Sequence, residues 1–283
     1  MTDKINKIVD IQTGALAVLT DTIEKLNSLE VNYIVIGGWC PYLRYKGSHP
    51  GTRDVDVLFA DADKKFFLES AVKNFLDDGY LLSAKHDFQL LKQFKIGKQE
   101  YVFNIDLLHP SMTRENPELF VDHFVLDICD NQEYEIKKKA LSFVLPSSRI
   151  LFERQFYNIV DVRGVDFNGD NKAIKFPLLD EEGFMLSKVD SVKSAKRVRD
   201  SFDIYLIITK YEGDWHRLRD VITRNDYNVS LLFQKLKDYL SNRDCQDIFD
   251  NNVRKIYKNI NKECTEEFPH KAVIARIDYL LGA

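Results

Sequence analysis

Cysteine is sparse in this sequence. The four residues, Cys40, Cys129, Cys245 and Cys264, include no Cys-x-x-Cys pair and no nearby histidine at zinc spacing. Neither a disulfide framework nor a structural zinc site is readable from them, and reduced thiols in the cytoplasm are the expectation. Glycine (12) and proline (7) are also few in 283 residues, which excludes collagen-like and linker-dominated chains. No window reaches the roughly 18 apolar residues a membrane helix needs, and the start, MTDKINKIVDIQTGALAVLTDTIEKL, lacks the apolar stretch of a signal peptide. No membrane association is expected. Neither sign of charge dominates: 40 Lys+Arg stand against 44 Asp+Glu, net −4, unlike a surface built throughout to neutralise phosphates.

What is present is core material. Apolar residues make up 45% and aromatic residues 12%, with thirteen Tyr and nineteen Phe, so the chain buries a sizeable interior. Its length favours two domains, or one domain with a large appendage. Apolar positions recur at helical spacing over 11–29, and VNYIVIGG reads as a buried strand ended by glycines. WCPYLRYKG suggests a short helix, SHPGT a turn, and RDVDVLFA a Val-rich strand. A helix is predicted over 63–78, then three extended segments, YLLSA, FQLLKQFKI and EYVFNIDLLHP, the last two joined through GKQ as a hairpin. The run 133–145 suggests a further pair of edge strands. From Pro146 helical periodicity takes over, interrupted by the extended NIVDVRGVDFNGDNKAIKF. The predicted division is an α/β domain, 1–146, and a mostly helical domain, 147–283.

The chemistry concentrates in IVIGGWCPYLRYKGSHPGTRDVDVLF. Alternation on a strand points Asp54 and Asp56 one way and Val55 and Val57 the other, into the core. Two adjacent carboxylates repel unless a cation lies between them, and magnesium, with its preference for oxygen, is the cation expected. Gly37 and Gly38, between strand and helix, let a backbone approach a phosphate closely. FNIDLL adds Asp106, a single charge among Phe103, Ile105 and Leu107, which reads as a third carboxylate able to take a proton from an attacking hydroxyl.

Gly37-Gly38, fifteen intervening residues, Asp54-Val55-Asp56 and a later Asp106 in an apolar strand together resemble the signature of the polymerase-beta-type nucleotidyltransferase superfamily. The resemblance covers about the first half of the chain. It implies an α/β (α+β) core with a small mixed sheet and transfer of a nucleoside monophosphate from a nucleoside triphosphate to a hydroxyl, releasing pyrophosphate. By resemblance, Asp54, Asp56 and Asp106 hold Mg2+, Asp106 serves as base, and Gly37 and Gly38 cradle the triphosphate. FMLSKVDSVKSAKRVRDSFDIYLI is similar to the later motifs of the AbiE-type (AbiEii) abortive-infection nucleotidyltransferases, toxins of bacterial toxin–antitoxin pairs. Lys188, Arg199, Asp200 and Asp203 occupy the matching positions. If the helix is continuous, Lys188 and Arg199 share a face and both reach a triphosphate across a cleft between the domains, while Arg199 and Asp203 hold each other at i, i+4. That resemblance implies a tRNA acceptor and a cognate antitoxin protein as partners. The stretch 187–224, with nine Lys+Arg against six Asp+Glu, agrees with an RNA partner.

Each feature also has a plainer reading. Asp-x-Asp occurs on solvated edge strands, Gly-Gly in ordinary turns, and the Lys188 to Asp203 set on a solvated helix laced with ion pairs. His49 reads as an exposed loop residue, His109 as a turn residue, and Trp39 and Tyr42 as core aromatics or base-stacking platforms. The sequence departs from the AbiE pattern at Gly38 and Val189. Gly38-Trp39 and Thr52-Arg53 look equally like nucleotidyltransferases that inactivate lincosamide or aminoglycoside antibiotics, and a degenerate module that binds nucleotide without turnover is the third possibility.

Overall fold

The computed structural model describes residues 8–60, 65–109, 118–129, 132–141, 143–144, 148–189, 191–193, 198–224 and 228–282. The fold is mixed α/β. Its contacts divide the chain into two units, each drawn from three segments. One comprises Met1–Ile36, Thr52–Arg149 and Ile159–Leu178; the other comprises Gly37–Gly51, Ile150–Asn158 and Leu179–Ala283. This differs from a single cut near 146, for two reasons. The segment 37–51 groups with the helical residues, and the extended sequence after 158 returns to the first unit. Residues 145–147, where the cut was expected, lie outside the described residues.

In the first unit, α1 (Ile11–Ser28) starts at Asp10, whose Oδ1 accepts the Thr13 amide at 2.7 Å, an N-cap that satisfies one of the open donors of the first turn. The strands are β1 (Tyr33–Ile36), β2 (Val55–Phe59), β3 (Leu81–Leu82), β4 (Gln89–Ile96), β5 (Gln99–His109), β8 (Phe143–Val144), β9 (Tyr157–Val165) and β10 (Asn171–Leu179). They form one mixed sheet in the order β3-β4-β5-β2-β1-β10-β9, with β8 also on β5. The pairs β1–β10 and β2–β5 run parallel, and β1–β2 and β4–β5 antiparallel. β6 (Glu118–Cys129) and β7 (Gln132–Leu141) form a separate two-stranded ribbon. Lys137, Lys138 and Lys139 lie on β7, opposite His123, Asp122 and Val121 in register.

All four residues of β1 are buried, as a central strand requires. α1 packs against α3 (Lys65–Asp77) and against β2, β4 and β5. Gly14 of α1 lies against the Phe103 ring of β5, so Phe103, Ile105 and Leu107 point towards this helix and are at most 2% exposed. Residues of opposite parity on β5 point to the other face. The expected helix start at Asp63 lies outside the described residues, and so does the segment 110–117. The β4–β5 turn is Gly97-Lys98, since Ile96 pairs with Gln99. The loop is therefore one residue shorter than GKQ.

The second unit contains α2 (Trp39–Arg44), part of α4 (Ser148–Glu153), α5 (Glu181–Lys188), a single 3-10 turn (Ser191–Lys193), α6 (Val198–Lys210), α7 (His216–Thr223), α8 (Val229–Ser241), α9 (Arg243–Asn259) and α10 (Pro269–Leu281). Nine consecutive residues of α6, Asp200 to Ile208, are buried, as befits a helix packed against α5, α9 and α10. α5 enters closely beside the chain at Phe156. A Cβ added at Gly183 would stand 2.5 Å from the Phe156 carbonyl oxygen, a backbone atom that cannot swing aside. Gly183→Ala is accordingly expected to cost about 1 to 3 kcal/mol in urea unfolding, with far-UV dichroism reporting that the fold is kept.

Candidate active site in the first unit

The strand register assembles the acids. Asp56 of β2 is the register partner of Ile36 on β1 and of Asp106 on β5, and Asp106 is the register partner of Gln89 on β4. Register partners share a face, so Asp56, Asp106 and Gln89 form one row across three strands, on the face opposite α1. Val55, Val57, Ile105 and Leu107, which flank the two acids, are buried, while the acids are half-buried. Two ionised carboxylates on neighbouring strands, about 5 Å apart, repel by about 3 kcal/mol at the effective dielectric of a protein surface.

Side-chain amides hold this face. Gln89 Nε2 donates to Asp106 Oδ1 at 2.8 Å. Asn104, two residues before Asp106 and so on the same face, donates through Nδ2 to Asp54 Oδ1 at 3.3 Å. Asp54 lies one residue before β2 and is exposed. Gln12 of α1 accepts the Thr52 amide at 3.1 Å, fixing the backbone two residues upstream of Asp54. The donor set is oxygen throughout, which suits a hard divalent cation, and the Asp56–Asp106 pair is the part that fits one. Among the described residues no group of three or more His, Cys, Asp or Glu side chains is drawn together closely enough to hold a metal ion. Asp54 accepts from Asn104 on that same face.

The remaining sequence-predicted residues belong to the second unit. Gly37 has φ 72°, a left-handed conformation that a side chain resists. Gly38 is helical (φ −63°, ψ −14°) at the entry to α2 and makes no such demand. The condition of one continuous helix from Lys188 to Arg199 is not met: among the described residues α5 ends at Lys188, Ser191–Lys193 form a 3-10 turn, and α6 begins at Val198. Lys188 donates to Asp200 Oδ1 at 2.9 Å. Arg199 donates to the Gly51 carbonyl at 3.1 Å and pairs with Asp203 across one turn at 3.6 Å. The solvated-helix reading is corrected as well, because Asp200 is 5% exposed and Asp203 fully buried. Contact with a triphosphate is, for Gly37, Gly38, Lys188 and Arg199, what the resemblance implies. Asp190, Lys196 and Arg197, which contribute to the charge of the 187–224 stretch, lie outside the described residues.

His49 is buried, not exposed. Its Nδ1 accepts the Gly51 amide at 3.1 Å, so the ring proton is on Nε2, which faces Asp203 Oδ1 at 3.1 Å. His49, Gly51, Arg199 and Asp203 thus form one hydrogen-bonded set that ties the loop after α2 to α6. His109 is likewise buried, at the end of β5 opposite Val144, and burial pushes its pKa down. Trp39 is fully buried, as a core residue, with Tyr42 edge-on to it at 5.6 Å.

Gln89, Asn104 and Gln12 escaped the sequence reading. The signal for Gln89 lay in the hairpin: counting back from a two-residue turn places it opposite Asp106, whereas a three-residue GKQ turn places Leu90 there.

No protein-family model matches the sequence, and no curated protein matches it. Among solved structures the chain is similar to an antigenic nucleotidyltransferase-like protein from Paracoccidioides brasiliensis, at 15% identity and a TM-score of 0.41, with 87% of this chain and 97% of that chain covered. A likeness of that size fixes neither activity nor substrate. Among the described residues, no helix is long and apolar enough to cross a membrane.

Proposed function

We propose that the protein is a magnesium-dependent nucleotidyltransferase that moves a nucleoside monophosphate from a nucleoside triphosphate to a hydroxyl acceptor. The observation that carries this reading is the Asp56–Asp106 register pair on neighbouring parallel strands, with Asp54 two residues before Asp56. Asp56 and Asp106 would hold the cation, with Asp54 as the next carboxylate available. Magnesium, when bound, supplies neutralisation of the charge that gathers on the α-phosphate and on the departing pyrophosphate. Asp106 takes the proton of the acceptor hydroxyl at a carboxylate oxygen. The new bond joins the acceptor oxygen to the α-phosphorus, and the bond from that phosphorus to the pyrophosphate breaks.

For the acceptor, the resemblance of the 184–207 stretch to AbiE-type toxins and the positive balance of 187–224 favour tRNA, with a cognate antitoxin as protein partner. The test is incubation with magnesium, each of the four labelled ribonucleoside triphosphates in turn, and total tRNA, beside an Asp54→Ala/Asp56→Ala control. Label from one nucleotide is expected to enter tRNA with wild type only. Label in neither preparation, with magnesium-dependent triphosphate binding retained, would move the acceptor to a small hydroxylated molecule such as an aminoglycoside. Loss of triphosphate binding as well would leave a module without turnover.

A further inference from the structure

The amide of Gln89 meets Asp106 at a place where its own backbone has little freedom. Gln89 opens β4; its N–H donates to the His86 carbonyl at 3.2 Å and its carbonyl accepts the Ser83 amide at 3.0 Å. One residue earlier, the Phe88 carbonyl accepts the Leu107 amide at 2.8 Å, which locks the chain beside Gln89 onto the chain beside Asp106. The side chain is half-buried, and it reaches one strand across to donate to Oδ1. A carboxylate whose one oxygen is fixed by an anchored donor loses its freedom to rotate, so the direction of its second oxygen is set before any ligand arrives. An uncharged donor does this without adding a positive charge to the row that holds Asp56. Lysine at the same position would also satisfy Oδ1 but would compete with a cation for the carboxylate.

We infer that Gln89 is a positioning residue: it orients the Asp106 carboxylate for a divalent cation shared with Asp56, an inference that rests on the reading of this face as the catalytic one. It acts through Asp106 and touches no reacting atom. Gln89→Met keeps the length and removes the donor; Gln89→Lys keeps a donor and adds the charge. The experiment is calorimetric titration of Mn2+ into purified wild type, Gln89→Met, Gln89→Lys and Asp106→Asn, with thermal unfolding of each without metal and, for transfer, kcat and KM for the triphosphate.

Gln89→Met is expected to weaken Mn2+ binding by about 10-fold or more, and to lower kcat with KM changed less than kcat. Gln89→Lys is expected to weaken Mn2+ binding further, while unfolding without metal at or above the wild-type temperature. A purely structural Gln89 predicts that Gln89→Met loses Mn2+ affinity only in step with a lowered metal-free unfolding temperature, whereas the positioning role predicts the loss at an unchanged one; competition by the introduced ammonium lowers Mn2+ affinity in Gln89→Lys under either role. Equal Mn2+ affinity in wild type and Gln89→Met overturns the inference and leaves the catalytic reading standing. Absence of Mn2+ binding in wild type overturns both.

Discussion

Asp106→Asn is expected to lower the rate of nucleotidyl transfer by about a thousandfold or more while leaving the protein folded. The substitution preserves shape, and an asparagine oxygen can still accept from Gln89 Nε2, so the hydrogen bond at 2.8 Å has a successor. What disappears is the charge and the basic oxygen. Asp56 then stands beside a neutral neighbour on β5, the pair no longer demands a cation, and the carboxylate proposed to take the hydroxyl proton is gone. A single-turnover transfer assay with the accepted nucleotide, alongside far-UV dichroism, separates loss of chemistry from loss of fold. A folded Asp106→Asn protein that transfers at the wild-type rate would remove Asp106 from the mechanism and, with it, the strand pair on which the assignment stands.

The largest stability effect is expected in the second unit, at Arg217. Its Nη2 lies 2.8 Å from Asp180 Oδ2 and 3.0 Å from Glu182 Oε1, and its Nη1 donates to the Gln155 carbonyl at 2.9 Å. Asp180 and Glu182 are 2% and 1% exposed. Both also serve the backbone: Asp180 caps α5 through the Gly183 amide at 2.9 Å, and Glu182 accepts the Leu218 amide at 2.7 Å in the first turn of α7. Removing the cation therefore strands two buried carboxylates that cannot turn away to water. Arg217→Met is expected to cost about 3 to 5 kcal/mol in urea unfolding. Adding Asp180→Asn and Glu182→Gln, which leave the capping oxygens in place, should return much of that loss; a triple variant no more stable than Arg217→Met would mean that packing against the Phe156 ring, not charge, was lost.

The legible parts of the site were those governed by local periodicity. Val55, Val57, Ile105 and Leu107 had to be buried once β2 and β5 were strands, and that put Asp56 and Asp106 on the remaining face of each. Whether the two faces coincide depends on β2 and β5 being neighbours in parallel register, and no local signal encodes that. Gln89 shows how narrow the margin is. One residue in the length of the β4–β5 turn decides whether glutamine or leucine stands beside the acid. His49 looked exposed because its neighbours, Ser48, Pro50 and Gly51, are loop residues. It is buried because Asp203, 154 residues later, supplies an acceptor for its Nε2 proton.

By itself the sequence determined which segments are strands and helices over most of the described chain, and the inward and outward faces of β2 and β5. Those follow from side-chain periodicity and backbone preference, which act over a few residues. Tertiary structure alone decided that Val35 pairs with Leu178, that the hairpin of β9 and β10 therefore joins the first sheet, and that α5 and α6 are separate helices. It also decided that amide side chains hold Asp54 and Asp106. The physical reason is the same in each case: pairing across a hundred or more residues is selected by the total apolar surface buried and polar groups satisfied in the finished fold, a sum over the whole chain that no short stretch of sequence contains.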